Sequence, residues 1–221
     1  MADFTWSYSS LKQYQNCPKQ YHEIRVLKNY TVKENEAMIY GKEVHEALEL
    51  YVKEGKELAK NYQRFKPFVD PLIKIKGDKY PEHKMALTYN KEPCDFDSDT
   101  RWVRGIADLL IVDGTHAFVV DYKTGSKKYP DPKQLRLMSL MVFTLFPDVQ
   151  KVKGALFFIM HNSIIEETYF RKDMDKSWAM FNQTLKRLEM SYDNNTWQAN
   201  PTPLCGWCSV ESCEHWKPRR W

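Results

Sequence analysis

The sequence predicts an α/β (α+β) chain, with helices before and after a central sheet. Three observations carry that reading. Val44, Ala47, Leu48 and Tyr51 repeat at the spacing of one helix face. Two apolar runs, Trp102 to Val112 and Thr115 to Lys123, flank Asp113-Gly114, a strong local signal for a two-residue hairpin. Helical and strand patterns then alternate again from Lys133 to Phe170. The 221 residues, 43% apolar and 28% charged, suffice for one domain with a buried core and exclude a disordered or fibrous chain.

Ser9-Ser10 should cap a short helix through Leu11 and Tyr14, which Pro18 limits or restarts. A second helix is expected from about Glu36 to Lys53, stopped by Gly55, and a third stretch from Lys56 toward Phe68, before Pro71. Lys84 to Tyr89 reads as a strand ahead of the hairpin. After Pro132 a helix should cover Lys133 to Phe146, followed by strands Val152 to Met160 and Ile164 to Phe170. A long helix then carries Trp178, Phe181, Leu185, Leu188 and Tyr192 before an irregular tail rich in Pro, Trp and Cys. No apolar run approaches the ~20 residues of a membrane helix. The start, MADFTWSYSS, lacks a basic segment followed by an apolar one, so a soluble cytoplasmic protein without membrane contact is expected.

With Asp113-Gly114 as the turn, Val112 pairs with Thr115, Val119 lies opposite Asp108, Asp121 opposite Ile106 and Lys123 opposite Arg104. Asp108, Asp121 and Lys123 then share a half-apolar face, the two carboxylates diagonal neighbours roughly 7–8 Å apart at the backbone. A solvated sheet edge with an ion pair is the plain reading. The apolar neighbours Ile106, Leu110 and Val119 favour a partly covered face instead, where two anions need a proton or a divalent cation between them. Mg²⁺ or Mn²⁺ suits such oxygens, and Lys123 would orient water or neutralise charge on a phosphate. His45, at the border of the second helix's apolar stripe near Glu49, is either a structural histidine or a further ligand; an imidazole among carboxylates shifts preference toward Mn²⁺.

These residues resemble the PD-(D/E)XK nucleases. Gly105-Ile-Ala-Asp108 followed by Asp121-Tyr-Lys123-Thr-Gly125 is similar to their signature; Gly41-x-x-x-His45 and Gln134 resemble the additions of the RecB-like branch. The resemblance implies a restriction-endonuclease-like core with a central mixed sheet, and a metal-dependent DNA nuclease. It implies His45, Asp108, Asp121 and the Tyr122 backbone oxygen as Mn²⁺ or Mg²⁺ ligands, with Asp108, Asp121, Lys123 and Gln134 as catalytic residues. Glu82 resembles an auxiliary acidic position of some members. Met138 departs from the pattern, standing where the family often has a tyrosine after Gln134.

Three thiols, Cys205, Cys208 and Cys213, crowd the tail, and Cys17 precedes Pro18. Without a secretory leader they read as metal ligands or reduced core thiols rather than disulfides, with Cys94 spare. Leu11-x-x-Tyr14-x-x-Cys17-Pro18-x-x-Tyr21 resembles the start of AddB-type and CRISPR-associated exonucleases. That resemblance implies a [4Fe–4S] cluster on the four cysteines joining the two ends of the domain; four thiolates by themselves suit zinc equally. The expected organisation is a single domain, 1–221, with a helical part (1–60), a catalytic sheet core (80–172) and a C-terminal helix with the cysteine segment (173–221).

The excess of basic over acidic residues, 33 against 29, permits a polyanion partner without demanding one. Lys127, Lys128 and Arg136 follow the proposed catalytic strand and are the candidate DNA contacts; Lys217, Arg219 and Arg220 read as a solvated tail. Aromatics at 14% supply mostly core, with some left over to stack on unpaired bases. The expected activity is exonucleolytic, on single strands or DNA ends, in replication, recombination or repair, in a prokaryotic or phage setting with partner proteins of those processes. The competing expectation is a non-catalytic DNA-binding subunit of a recombination complex that keeps a structural iron–sulfur or zinc site.

Overall fold

The computed structural model describes residues 4–32, 34–126 and 130–217. The chain forms two compact units, one of Asn35–Trp178 and one of Met1–Glu34 with Ala179–Trp221.

The first unit is built on one five-stranded sheet in the order β1 (Asp78–Thr88), β2 (Arg101–Asp113), β3 (His116–Lys123), β4 (Lys151–Phe158), β5 (Ser163–Phe170). Neighbours are antiparallel except β3 and β4, which are parallel. A parallel pair needs a crossover, and α5 (Lys133–Leu145) supplies it. The sheet is thus mixed and flanked by helices, as the sequence predicts. α5 is apolar almost all round because it is buried almost all round: Leu135, Leu137, Met138, Leu140, Met141, Val142 and Phe143 are all enclosed.

α3 (Glu36–Glu54) starts at Asn35, whose side chain accepts from the Met38 N–H, and stops at Gly55 in the left-handed region. Its buried Val44 and Leu48 join Leu109, Ile111, Val120, Tyr122 and Phe157 of the sheet. Phe65 and Val69 complete the cluster from the segment of α4 (Lys66–Lys74). The third helical stretch therefore begins later than expected and runs through Pro71. The lost hydrogen bond is outweighed by burial, since Val69 is fully enclosed and Phe68 and Leu72 pack on the cluster.

The hairpin differs from expectation in its turn. Asp113 pairs with His116, so Gly114 and Thr115 make the turn, with Gly114 at φ +56°. Leu110 lies opposite Val119 and Leu109 opposite Val120. Pairing thus slips by two residues, and with a side-chain period of two Leu110 and Val119 stay on one face. The expected pairs Asp121–Ile106, Val119–Asp108 and Lys123–Arg104 do not form.

In the second unit, α1 (Tyr8–Asn16) is capped by Ser7 in a reciprocal box with Ser10, one turn earlier than expected. α2 (Pro18–Tyr21) restarts at Pro18 and passes into a π-helical turn, His22–Val26. α6 (Met174–Asp193) contributes its residues from Ala179 onward. Tyr14 donates to the Arg187 carbonyl at 2.8 Å and lies 2.7 Å from Ser191 Oγ. Trp197 stacks on His22 and Tyr21, with ring centroids 4.6 and 5.9 Å away. Much of the high aromatic content is therefore core.

Candidate metal and phosphodiester site

The site forms where the β2–β3 ladder ends. Leu109–Val120 is its last pair, and Asp108 and Asp121 are the next residue of each strand beyond it. On the other side of β2, Pro81 pairs with Leu109 and His83 with Ala107, so Glu82 sits across from Asp108. Glu82 holds φ at +45°, a left-handed conformation unusual for a residue with a side chain. Side-chain alternation also changes phase along β2. An added Cβ at Gly105 would lie 3.3 Å from Met141 Sδ in α5, yet Leu109 and Ile111, of the same parity, pack in the cluster with α3.

α3 delivers His45 to this point. An added Cβ at Gly41 would lie 3.0 Å from Thr124 Oγ1, so a larger residue would press the Thr124 side chain at the end of β3. One turn later His45 Nδ1 lies 3.4 Å from Asp108 Oδ1, its ring edge-on to Tyr122 at 6.1 Å. That is the physical content of the Gly-x-x-x-His spacing. Asp108 Oδ2 accepts from the Tyr122 N–H at 2.5 Å, which fixes the carboxylate against β3.

Asp121 is almost wholly buried. Its Oδ1 accepts from Gln134 Nε2 at 2.5 Å, and Oδ2 lies 2.6 Å from Lys123 Nζ without hydrogen-bond alignment. Lys123 donates to Gln134 Oε1 at 3.0 Å and closes the triangle. Asp121, Lys123 and Gln134 thus meet, as do His45, Asp108 and Glu82. Met138 is buried core.

Electrostatics mark the place as crowded with negative charge. Burial, then the Asp108 charge, push the Glu82 carboxyl up to about 7. Burial and Asp108 likewise raise Asp121, against the pull of Lys123. Burial would lower His45, but its hydrogen bond to Asp108 and the charges of Asp108, Asp121 and Glu82 reverse this and hold it above its usual value. Ligand atoms of His45, Glu82 and Asp108 all lie within 4.8 Å of one another. A Mg²⁺-type ion with bonds of about 2.1 Å spaces opposite ligands by about 4.2 Å, so little closing is needed. Asp121 Oδ2 adds a buried oxygen without a hydrogen-bond donor. The donor set fits a divalent cation.

Glu82 is the member sequence reasoning nearly missed. The strand was expected from Lys84, whereas β1 starts at Asp78 and runs through Glu82. Arg136 is already engaged, 3.6 Å from Glu167, donating to Ser177 Oγ at 3.2 Å and lying over the Tyr169 ring. Lys127, Lys128, Arg219 and Arg220 fall outside the described residues.

A separate cavity of about 470 Å³ in the second unit is lined by Cys17, Cys205, Cys208 and Cys213. Polar hydrogens aim at its sulfurs. Asn200 N–H donates to Cys17 at 3.4 Å, Thr202 N–H to Cys205 at 3.3 Å and Gln20 Nε2 to Cys208 at 3.3 Å. Among the described residues, no three of these thiols come within 4.8 Å of one another.

The family model of the PD-(D/E)XK nuclease superfamily matches residues 5–213. The chain belongs to that superfamily, whose members are nucleases that use divalent metals. Its fold is similar to the crystal structure of a "Putative exonuclease" from Eubacterium rectale, with a TM-score of 0.52 at 12% identity, covering 95% of this chain and 86% of that one. A second likeness, to SSO0001, has a TM-score of 0.49 at 13% identity over 97% of this chain and 88% of that one, too loose to argue from. No curated protein sequence matches. Among the described residues no helix is long and apolar enough to cross a membrane.

Proposed function

We propose that this chain is a Mn²⁺- or Mg²⁺-dependent DNA nuclease, acting on single strands or ends in replication, recombination or repair. The observation that supports it best is the meeting of His45, Glu82 and Asp108 beside the Asp121–Lys123–Gln134 triangle. His45, Glu82, Asp108, Asp121 and the Tyr122 carbonyl would hold the cation. When bound, a divalent ion polarises a phosphoryl oxygen and lowers the pKa of water at neutral pH. Lys123 places a cationic donor where charge develops on the phosphate, and it costs no reorganisation because Asp121 and Gln134 already orient it. Gln134 touches both partners and sets their spacing.

The four cysteines are read as ligands of a structural [4Fe–4S] cluster. Four thiolates suit zinc and a cluster alike, so metal content tells the two apart. N–H donors at the sulfurs are the kind of contact that surrounds the ligand sulfurs of a cluster. Absorbance near about 400 nm with matching iron and sulfide in anaerobically purified protein is the expected result; zinc alone would refute the cluster.

The activity is tested with end-labelled single- and double-stranded DNA, linear and circular, in Mn²⁺, Mg²⁺ or EDTA. Cleavage of linear strands that EDTA abolishes is expected. Equal cleavage of circles would remove the preference for ends, and cleavage in EDTA would remove the metal.

A further inference from the structure

Beside the end of β3, Arg64 carries a charge that no carboxylate pairs with among the described residues. The side chain is exposed yet held in one place. It donates to Tyr40 Oη at 2.7 Å, lies 3.5 Å from Met160 Sδ, and sits over the Phe65 ring at 4.9 Å. Glu43, a nearby acid, accepts instead from the Tyr62 hydroxyl at 3.0 Å. Tyr40 and Tyr62 stand 6.2 Å apart with rings tilted by 56°. Met160, which touches both Arg64 and Tyr40, exposes 41% of its surface.

Two links tie this surface to the site. Tyr40 precedes Gly41, whose close approach is to Thr124, the residue after Lys123. Met160 follows Ile159, whose N–H donates to the Lys123 carbonyl at 3.1 Å. Both groups that hold Arg64 are therefore one residue removed from a contact with the end of the lysine-bearing strand.

A preset guanidinium without an acid partner is suited to a phosphate. Tyr40 and Tyr62 beside it pack on the core cluster and leave part of each residue open, which suits a nucleobase of the kind only an unpaired strand offers. We infer that Tyr40, Tyr62, Arg64 and Met160 form a docking surface for single-stranded nucleic acid, Arg64 taking a backbone phosphate and the tyrosines an adjoining base. This deepens the nuclease reading and rests on it for the identity of the strand. The sequence pattern gave no sign of it, because Arg64 and Tyr40 are brought together by the packing of α3 against the segment before α4.

The test is equilibrium binding of a fluorescent oligothymidylate of about 15 nucleotides, read by anisotropy in EDTA over a range of salt. Arg64→Ala should weaken binding about tenfold and flatten the slope of log K against log salt by about 0.7. Arg64→Lys should keep the slope. Tyr40→Leu with Tyr62→Leu should weaken binding about tenfold at unchanged slope. Lys56→Ala, which removes an exposed charge beyond the C-terminus of α3, should bind within about twofold of the parent. A parent without measurable affinity, or an Arg64→Ala protein that matches Lys56→Ala in affinity and slope, overturns the inference. EDTA separates binding from cleavage, so the expected pattern in a protein that never cleaves would uphold this surface and reject the nuclease.

Discussion

A carboxyl that titrates near 7, an imidazole raised by its acidic neighbours and a buried aspartate share one corner of the sheet. Glu82 carries the measurable consequence. Its value of about 7 in the folded chain exceeds the ordinary carboxylate value, so its stabilising protonated form is fully present at low pH and is lost as pH rises toward and through 7. In EDTA, Glu82→Gln should therefore melt higher than the parent at pH 8, with the gap closing at pH 5. Mn²⁺ should raise the parent's Tm most at pH 8. A gap that does not change with pH would contradict this electrostatic account. Lys123→Ala should slow cleavage by about 10²–10³, the cost of one donor aimed at developing charge, while binding of the strand changes little. Asp108, Asp121 and Lys123 were picked out by the hairpin and the family signature together, since the phase change along β2 keeps parity alone from joining Asp108 to the other two. Glu82 was named only through the resemblance, because its left-handed backbone within β1 leaves no pattern in the sequence.

Elements show the same division between what periodicity reveals and what packing decides. α3, α5 and the strands β4 and β5 lie close to where apolar spacing places them, since burial of their faces dominates their energy. The hairpin turn shifted to Gly114–Thr115 because that placement still leaves a glycine at the position with positive φ. Pro71 misleads for a different reason: local propensity expects a stop, and the cluster around Val69 overrides it. Arg171 is an anchor with no sequence signature. It donates to the carbonyls of Phe143, Phe146 and Val149 at 2.6, 2.8 and 2.7 Å, satisfying groups at the C-terminal end of α5. Arg171→Ala should cost about 1.5–3 kcal/mol in urea unfolding, the range for hydrogen bonds to a charged group. Leu48→Ala, by contrast, opens a cavity in the cluster under His45 and should cost about 2–5 kcal/mol.

At the scale of the molecule, the cysteines distant in sequence meet around one cavity within a single unit. A ligand shared by them would restrict the unfolded chain strongly, so its loss should be felt as stability before chemistry. Cys17→Ser should lose iron and the absorbance near about 400 nm and melt earlier, and a protein that keeps both would show that Cys17 is not a ligand. The sheet unit holds its own acidic site, built without those thiols. Its most direct test is single-turnover cleavage of an end-labelled strand with Mn²⁺ by the parent and by Asp121→Ala. The account predicts cleavage by the parent and a loss of at least about 10²-fold in the variant. Equal rates from the two proteins would contradict it.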